Sequence, residues 1–189
     1  MSTVFSINNY IKSHIEVFSS IKISEINVAI EMIDSAFKNG KKIAVCGNGG
    51  SALTASHYIT DWNKMINLVT GKKFMGICLS DNIGLVTAYA NDLSYDDIYS
   101  EQIKNILDPG DLLIGISGSG NSENIVKAIK KANEIGIKTL SICGFDGGKI
   151  KDLANNSIWI NSFDMQLCED AHMAFGHIVM KHFCGSDIN

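Results

Sequence analysis

Residues 42–52 read Lys-Ile-Ala-Val-Cys-Gly-Asn-Gly-Gly-Ser-Ala, a short apolar run that passes directly into a glycine-rich turn. Residues 112–122 read Leu-Leu-Ile-Gly-Ile-Ser-Gly-Ser-Gly-Asn-Ser and repeat that order with more serine. A continuously apolar run is typical of a strand that is buried on both faces of a sheet. Each stretch is therefore predicted to be a buried strand, a tight loop and the N-terminus of a helix.

Three further apolar runs alternate with helix-like segments along the chain. The runs are Phe74–Leu79, Thr139–Cys143 and Ser157–Ile160. Helical periodicity predicts helices over residues 52–64, 83–90, 95–106, 123–135, 148–154 and 165–182. Strands that alternate with helices form right-handed crossovers and a parallel sheet. The predicted fold class is therefore α/β, a three-layer αβα sandwich of flavodoxin-like type with about five parallel strands.

The first forty residues are predicted to form a helical extension before the sheet. Large apolar residues recur at helical spacing from Ile26 to Phe37, with Ser24 placed to cap that helix and Gly40 to end it. No linker-like stretch divides the 189 residues. We therefore expect a single domain over 1–189, with helices in 1–40 and an α/β core with a C-terminal helix in 41–189.

Composition argues against several classes of function. A net charge of −4 disfavours non-specific binding to nucleic acid, and no apolar run approaches the about 18 residues that suggest a membrane span. The five cysteines lack C-x-x-C spacing, which predicts free thiols and a cytoplasmic protein. All 16 basic residues are lysine, so any phosphate would be bound without a guanidinium group.

The two loops are predicted to bind a phosphate. Ligands of parallel α/β sheets bind at the carboxyl ends of the strands, where the N-termini of helices attract anions. Ser117, Ser119 and Ser122 would add neutral hydroxyl donors. A single loop of this kind can also be a turn whose glycines merely tolerate positive φ. Two such loops at one edge of the sheet favour the phosphate site.

Two other phosphate-binding motifs are alternatives for these loops. Residues 47–52 match the dinucleotide fingerprint G-x-G-x-x-A, which needs an acidic residue about 20 positions further on. The nearest acid at a strand end, Asp81, lies too far along the chain. Neither loop has the Gly-Lys-Ser/Thr ending of a P-loop. Neither motif therefore accounts for both loops.

Histidines and carboxylates recur on two predicted helices. His57 and Asp61 are four residues apart and share a helix face, which suits a metal site, a proton-transfer couple or an ordinary surface hydrogen bond. Glu169 and His177 lie about 12 Å apart along their helix, so they could share a metal only by leaning together or by coming from different subunits. His172 is expected to be a hydrogen-bonded core histidine.

Together these motifs resemble the phosphoheptose isomerases of the sugar-isomerase (SIS) domain superfamily over almost the full length. The matching pieces are Gly47–Ser51 with His57, Asn91-Asp92, Ile116–Ser122, Asp146–Gly148, and a terminal helix with Glu169, His172 and His177. The resemblance implies an SIS-type fold and a homotetramer with active sites at subunit interfaces, in which the helices of 1–40 take part. It also implies a phosphorylated sugar substrate, a Zn²⁺ ion, and neither nucleic acid nor membrane as a partner.

The resemblance further implies the reaction and the site. Sedoheptulose 7-phosphate would be isomerised through an enediol to D-glycero-D-manno-heptose 7-phosphate, a precursor of surface polysaccharide such as lipopolysaccharide or capsule. The implied catalytic residues are Asp61 and His177, and the implied metal ligands are His57, Asp61, Glu169 and His177. The implied substrate-binding residues are Asn48, Gly49, Gly50, Ser51, Asn91, Asp92, Ser117, Gly118, Ser119, Ser122 and Glu169.

Four positions depart from the family pattern. The chain has Asp61 for Glu, Glu169 for Gln, Gly118 for Thr and Gln166 for Asp. The shorter carboxylate could be displaced by about 1 Å, a misplacement that can cost about a hundredfold in rate. A carboxylate bound to zinc is also a poorer base, so Glu169 or a metal-bound hydroxide could take the carbon proton instead. The alternative function is a non-catalytic phosphosugar-binding regulator of the replication-initiator-associated type.

Overall fold

The computed structural model describes residues 6–185. Its strands are β1 (Lys42–Gly47), β2 (Met75–Cys78), β3 (Leu112–Ser117), β4 (Lys138–Cys143) and β5 (Asn156–Trp159). They form one five-stranded sheet in the order β2-β1-β3-β4-β5, and every neighbouring pair is parallel. The predicted parallel α/β sheet is confirmed.

Helices surround this sheet and account for most of the remaining chain. They are α1 (Ile7–Ser20), α2 (Ile23–Lys38), α3 (Gly50–Asp61), α4 (Asn67–Thr70), α5 (Ile83–Asp92), α6 (Ser100–Ile106), α7 (Glu123–Glu134), α8 (Gly148–Leu153) and α9 (Met165–Cys184). Within residues 6–185, none of them combines the length and the apolar character needed to cross a membrane.

One local prediction was wrong. Ser24 does not cap a helix, because α2 begins at Ile23 directly after a short link and Ser24 lies within its first turn. The helix predicted over residues 52–64 is present, but it begins earlier, at Gly50, and its α-helical part ends at Asp61. A π-helical turn, Trp62–Ile66, then connects α3 to α4. Turns of this type are rare and often occur beside functional sites.

The sheet has an apolar core on each face, which gives the three layers. Alternate residues of β1 enter opposite cores, with Ile43 on one face and Ala44 on the other. The first core is covered by α2, α3 and α9, and the second by α6, α7 and α8. Continuous burial along β1 and β3 is therefore the cause of the unbroken apolar runs in the sequence.

The strand order reverses between β1 and β3. The chain passes from β1 to β2 on one side and from β3 to β4 and β5 on the other. At such a switch point the loops that leave the two central strands diverge and open a crevice at the carboxyl edge of the sheet. The glycine-rich loop after β1 and the serine-rich loop after β3 both start there.

Candidate active site

A small cavity of about 170 Å³ lies at this switch point. Both predicted phosphate loops contribute to it, and so does the beginning of α9. Its lining residues are Asn48, Ser51, Ile116, Ser117, Gly118, Ser119, Ser122, Met165 and Glu169. Seven of these nine are residues that the sequence indicated as substrate-binding, so the structure brings together most of the predicted set.

The hydroxyl groups of the serine-rich loop are coupled to one another at this cavity. Ser117 Oγ and Ser122 Oγ lie 3.1 Å apart, and Ser119 Oγ accepts a hydrogen bond of 3.2 Å from the backbone N–H of Asn121. Ser122 occupies the N-cap position of α7 without making a side-chain capping bond. Apart from its contact with Ser117 Oγ, the Ser122 hydroxyl is therefore able to face a ligand beside a helix N-terminus, where the helix dipole favours an anion.

An amide pair fixes the glycine-rich loop to α7. Asn48 Nδ2 donates to Asn124 Oδ1 at 2.8 Å, and Asn124 Nδ2 donates back to Asn48 Oδ1 at 2.9 Å. Tyr95 also donates its hydroxyl to Asn48 Oδ1 at 3.0 Å. Asn124 is almost completely buried. The side chain of Asn48 therefore holds the two loops at a fixed separation as well as lining the cavity.

Glu169 enters the cavity from α9 and lies against the first residue of α3. A Cβ atom at Gly50 would overlap with Glu169 Oε1. The carboxylate is thus placed at the N-terminus of α3, where the unsatisfied N–H groups of the helix favour a negative charge. A side chain at position 50 would have to displace the carboxylate from this place.

A second cluster lies further along the same two helices. His57 Nε2 is 3.0 Å from His177 Nε2 and 3.3 Å from Asp61 Oδ2, and His177 Nε2 is 3.9 Å from that oxygen. Two ligand atoms of a tetrahedral zinc ion with bonds of 2.0–2.1 Å are about 3.3 Å apart. The two imidazoles and the carboxylate therefore fit three positions of such a site. Glu169 lies in the cavity instead of in this cluster of three.

Packing between α3 and α9 sets the geometry of this cluster. The Tyr58 ring packs against Gly176, and its hydroxyl donates to the carbonyl oxygen of His172. Trp62 Nε1 donates to the carbonyl oxygen of Gly176 at 3.0 Å. Trp62 begins the π turn, so this turn aims the indole at the backbone next to His177. Buried contacts between the helices therefore hold the ionisable side chains in place.

The chain matches known proteins over most of its length. The model of the SIS domain family matches residues 8–144. Phosphoheptose isomerase of Clostridium acetobutylicum is 40% identical over 174 residues, which cover 89% of this chain and 88% of that protein. Probable phosphoheptose isomerase of Thermoplasma volcanium is 35% identical over 176 residues, which cover 93% of this chain and 89% of that protein.

A solved structure agrees with these relatives. The structure of phosphoheptose isomerase from Neisseria gonorrhoeae superposes on this chain with a TM-score of 0.86 at 26% sequence identity. The superposition covers 94% of this chain and 96% of that structure's chain. The chain belongs to the phosphoheptose isomerase family. The family resemblance predicted from the motifs and the fold class are thereby confirmed.

Some residues that the family resemblance indicated lie outside the cavity lining. Asn91 and Asp92 are exposed at the end of α5, where Asn91 Nδ2 donates to Asp92 Oδ1 at 2.9 Å. Gly49 is exposed in the glycine-rich loop with φ of +52°, which favours glycine at that position. These assignments remain predictions.

One prediction about the terminal helix was wrong. His172 is buried, as expected, but within residues 6–185 neither of its ring nitrogens has a hydrogen-bond partner. Burial lowers its pKa to about 4, and a backbone contact with Cys143, which lies outside ordinary hydrogen-bond geometry, partly opposes that shift. The imidazole is therefore a neutral group in the core of this phosphoheptose isomerase family member, held between the cavity and the second cluster.

The sequence interpretation missed two residues of the site, Asn124, which holds the glycine-rich loop, and Met165, which lines the cavity. Asn124 stands among the buried apolar residues of α7, and a polar residue on an apolar helix face is the signal that could have revealed it. Met165 gave no such signal, because its position depends on how the start of α9 meets the serine-rich loop.

Proposed function

We propose that this member of the family isomerises sedoheptulose 7-phosphate to D-glycero-D-manno-heptose 7-phosphate. The observation that carries the proposal is the spacing of two chemically distinct groups along α3 and α9. Hydroxyl groups line a cavity at the N-termini of these helices, and the His57, Asp61 and His177 cluster lies further along them. The first group suits a phosphate, and the second suits proton transfer.

The phosphate is assigned to the serine-rich loop. Ser117, Ser119 and Ser122 would donate hydroxyl hydrogen bonds, and the N-terminus of α7 would add backbone donors and a favourable dipole. This arrangement needs no guanidinium, in agreement with a sequence that lacks arginine.

The reacting carbons are assigned to the cluster of His57, Asp61 and His177. Ketose–aldose conversion transfers one proton from C1 to C2 and moves one proton between the two oxygens, so that the atomic composition is unchanged. Asp61 would remove the C1 proton, and His177 would carry the proton between the oxygens. Because the ligand spacing fits, one oxygen of Asp61 and one ring nitrogen each of His57 and His177 would hold Zn²⁺, which leaves the second Asp61 oxygen and the second His177 nitrogen for proton transfer. A bound zinc ion would polarise the substrate oxygens.

The distance between the two groups supports a long sugar phosphate. Ser51 and His57 on α3 are separated by about 9 Å of helix, and Glu169 and His177 on α9 by about 12 Å. In a ketoheptose 7-phosphate the phosphate and the reacting C1–C2 bond lie at opposite ends of the carbon chain. Glu169, which lines the cavity beside the serine hydroxyls, would contact the sugar hydroxyls and is kept as the second candidate for the carbon base.

Exposed apolar groups support a homotetramer with active sites at subunit interfaces. Ile7, Ile11 and Ile15 form one stripe on α1 and are 68%, 54% and 63% exposed. Side chains of His57 and His177 are also 42% and 48% exposed, although the chemistry requires exclusion of water. A second copy would cover both surfaces, with the helices of 1–40 in the contact and 1–189 as one SIS domain.

We assign the enzyme to the cytoplasm. Cys46, Cys78, Cys143 and Cys168 are buried free thiols, which fits a reducing compartment. The heptose phosphate product would supply nucleotide-activated sugar for surface polysaccharide, such as lipopolysaccharide or capsule.

The test is to supply sedoheptulose 7-phosphate to metal-free and zinc-reconstituted protein and to follow the aldoheptose phosphate by NMR. We expect turnover that depends on the metal. Sedoheptulose 7-phosphate binding without turnover in either form would contradict the isomerase and favour the regulatory alternative. The comparisons give that alternative no support, because the two relatives reported above at 40% and 35% identity are named phosphoheptose isomerase and probable phosphoheptose isomerase.

A further inference from the structure

Glycine at position 118 is explained by one neighbouring side chain. The backbone at Gly118 does not have a positive φ, so its conformation is open to any L-residue. A Cβ atom at this position would overlap with Met165 Sδ and would lie 3.0 Å from Met165 Cε. In the part of the chain that the structure describes, no other nearby atom would come within 4 Å of that Cβ. A side chain at position 118 would therefore have to displace the end of the Met165 side chain, and that of no other nearby residue in the described part of the chain.

The backbone of Met165 is held firmly while its side chain is adaptable. Met165 is the first residue of α9, and the preceding Asp164 caps this helix. Asp164 Oδ1 accepts hydrogen bonds from the backbone N–H groups of Gln166 at 3.0 Å and of Leu167 at 3.3 Å. A methionine side chain is unbranched and polarizable, so it can follow the shape of a ligand.

Met165 adds an apolar side chain to a cavity that is lined mainly by polar residues. The thioether lines the same cavity as Ser119, Ser122 and Glu169. Inorganic phosphate offers only oxygen atoms to these groups. A sugar phosphate also carries a CH₂ group next to its ester oxygen, and that methylene can pack against the sulfur and its methyl group.

We propose that Met165 is a specificity-determining residue, which takes the place of a side chain at position 118 and selects phosphate monoesters of a primary carbon over inorganic phosphate. This inference rests on the proposed function, because it assumes that the serine-rich loop binds the phosphate of a phosphosugar. The Met165 side chain would be the group that recognises the carbon atom next to that phosphate. Gly118 and Met165 then act as one unit.

The test is a double-mutant cycle read by calorimetric binding. Sedoheptulose 7-phosphate and inorganic phosphate are titrated into the wild type, Met165→Ala, Gly118→Ala and the double variant. We expect Met165→Ala to raise the Kd of the sugar phosphate about tenfold and to change that of inorganic phosphate by less than about twofold. Gly118→Ala should act similarly, because its Cβ displaces the thioether. The double variant should resemble either single variant.

The controls separate packing from folding. Met165→Leu keeps an apolar side chain of similar size and should retain most of the preference for the sugar phosphate. Thermal unfolding checks that each variant is folded. If Gly118→Ala does not fold, the comparison of Met165→Ala with Met165→Leu still tests the inference.

Two results would overturn the inference. One is an equal loss of affinity for both ligands in Met165→Ala. The other is a double variant whose effect equals the product of the two single effects. A wild-type protein that binds inorganic phosphate but not sedoheptulose 7-phosphate would overturn the proposed function itself, and the inference with it.

Discussion

The serine-rich cavity and the His57, Asp61 and His177 cluster are served by the same two helices, but they are built from different chemistry. The cavity presents neutral hydroxyl groups on a loop, together with a helix N-terminus. The cluster presents two imidazoles and a carboxylate on helices locked by buried aromatic contacts. The proposed function assigns binding to the cavity and proton transfer to the cluster, so substitutions at one end should leave the other end intact.

The largest expected effect is at the proton-transfer end. Asp61→Asn keeps the shape of the side chain but removes the base, so kcat should fall about a thousandfold. His177→Ala should abolish turnover in the same way. The Kd of inorganic phosphate should stay unchanged in both variants, as measured by calorimetry beside the NMR assay. Asp152→Asn, an exposed carboxylate of α8, is the matched control. Full activity in both Asp61→Asn and His177→Ala would refute these catalytic assignments.

The next effect concerns the core between the two ends. His172 has a pKa of about 4 in the fold and an ordinary value of 6.5 when unfolded. As the pH falls below 6.5 the unfolded state gains a proton that the native state cannot accept, so stability decreases. The full shift corresponds to about 3 kcal/mol of unfolding free energy, lost by about pH 4.

This prediction is measured as a difference between proteins, because carboxylates also titrate in that range. His172→Leu should remove the extra acid sensitivity in urea unfolding curves recorded from pH 7 to pH 4. His182→Leu, at an exposed position of the same helix, should behave like the wild type. Equal pH dependence of the wild type and His172→Leu would show that the buried imidazole is not responsible.

A smaller effect is expected where the two loops are joined. Asn124→Leu removes both amide hydrogen bonds to Asn48 and leaves a polar group without its partner, which should cost about 2 kcal/mol of unfolding free energy. Affinity for inorganic phosphate should fall as the loops separate, while zinc affinity at the distant cluster should not. Asn105→Leu, at an exposed position of α6, is the control. A fall in zinc affinity would contradict the separation of the two ends.

The hydroxyl donors of the cavity should have the mildest effect on binding. Ser122→Ala should weaken phosphate binding about tenfold, because one hydrogen bond to a charged group is lost. The stability of α7 should change little, since this hydroxyl makes no capping bond. Calorimetry measures the affinity, and kcat at saturating substrate should be close to that of the wild type. Ser20→Ala on α1 serves as the control, and a large fall in kcat would contradict a pure binding role.

The sequence predicted the parts of this molecule that depend on local pattern. Unbroken apolar runs predicted the parallel sheet, and glycine and serine after two strands predicted the cavity at its carboxyl edge. The i, i+4 spacing of His57 and Asp61 predicted a shared helix face, and these side chains do converge with His177. Each of these inferences uses residues close together in the chain or a general rule of sheet topology.

The remaining features depend on contacts between distant segments. Whether Glu169 lies at the cluster or in the cavity is decided by its approach to Gly50, which is far away in sequence. The pairing of Asn48 with Asn124 and the overlap of Met165 with position 118 have the same origin. For His172, burial was predictable from the apolar face of α9, but the absence of a partner within residues 6–185 was not.

The smallest predicted effect concerns the contact between α1 and α9, the helix that carries both Glu169 of the cavity and His177 of the cluster. His14 Nδ1 lies 3.0 Å from the carbonyl oxygen of Tyr10, and His14 Nε2 lies 2.7 Å from Asp170 Oδ2. Both partners accept hydrogen bonds, so only the protonated imidazole satisfies both. The hydrogen bond with Asp170, followed by that with Tyr10, accordingly raises the pKa of His14.

Because the pKa of His14 is higher in the folded state, its protonation stabilises the fold most at pH values below 6.5, the ordinary histidine pKa. This stabilisation is lost as the pH rises through the higher pKa of the folded state. Amide hydrogen exchange in α1, corrected for the intrinsic effect of pH, should therefore be faster at pH 8 than at pH 6. The same change should be absent in His14→Gln, whose amide does not titrate. Because Asp170 adjoins Glu169 in α9, loosening α1 should disturb the cavity before it disturbs His177, two turns away. Equal pH sensitivity of exchange in both proteins would assign the effect to another group.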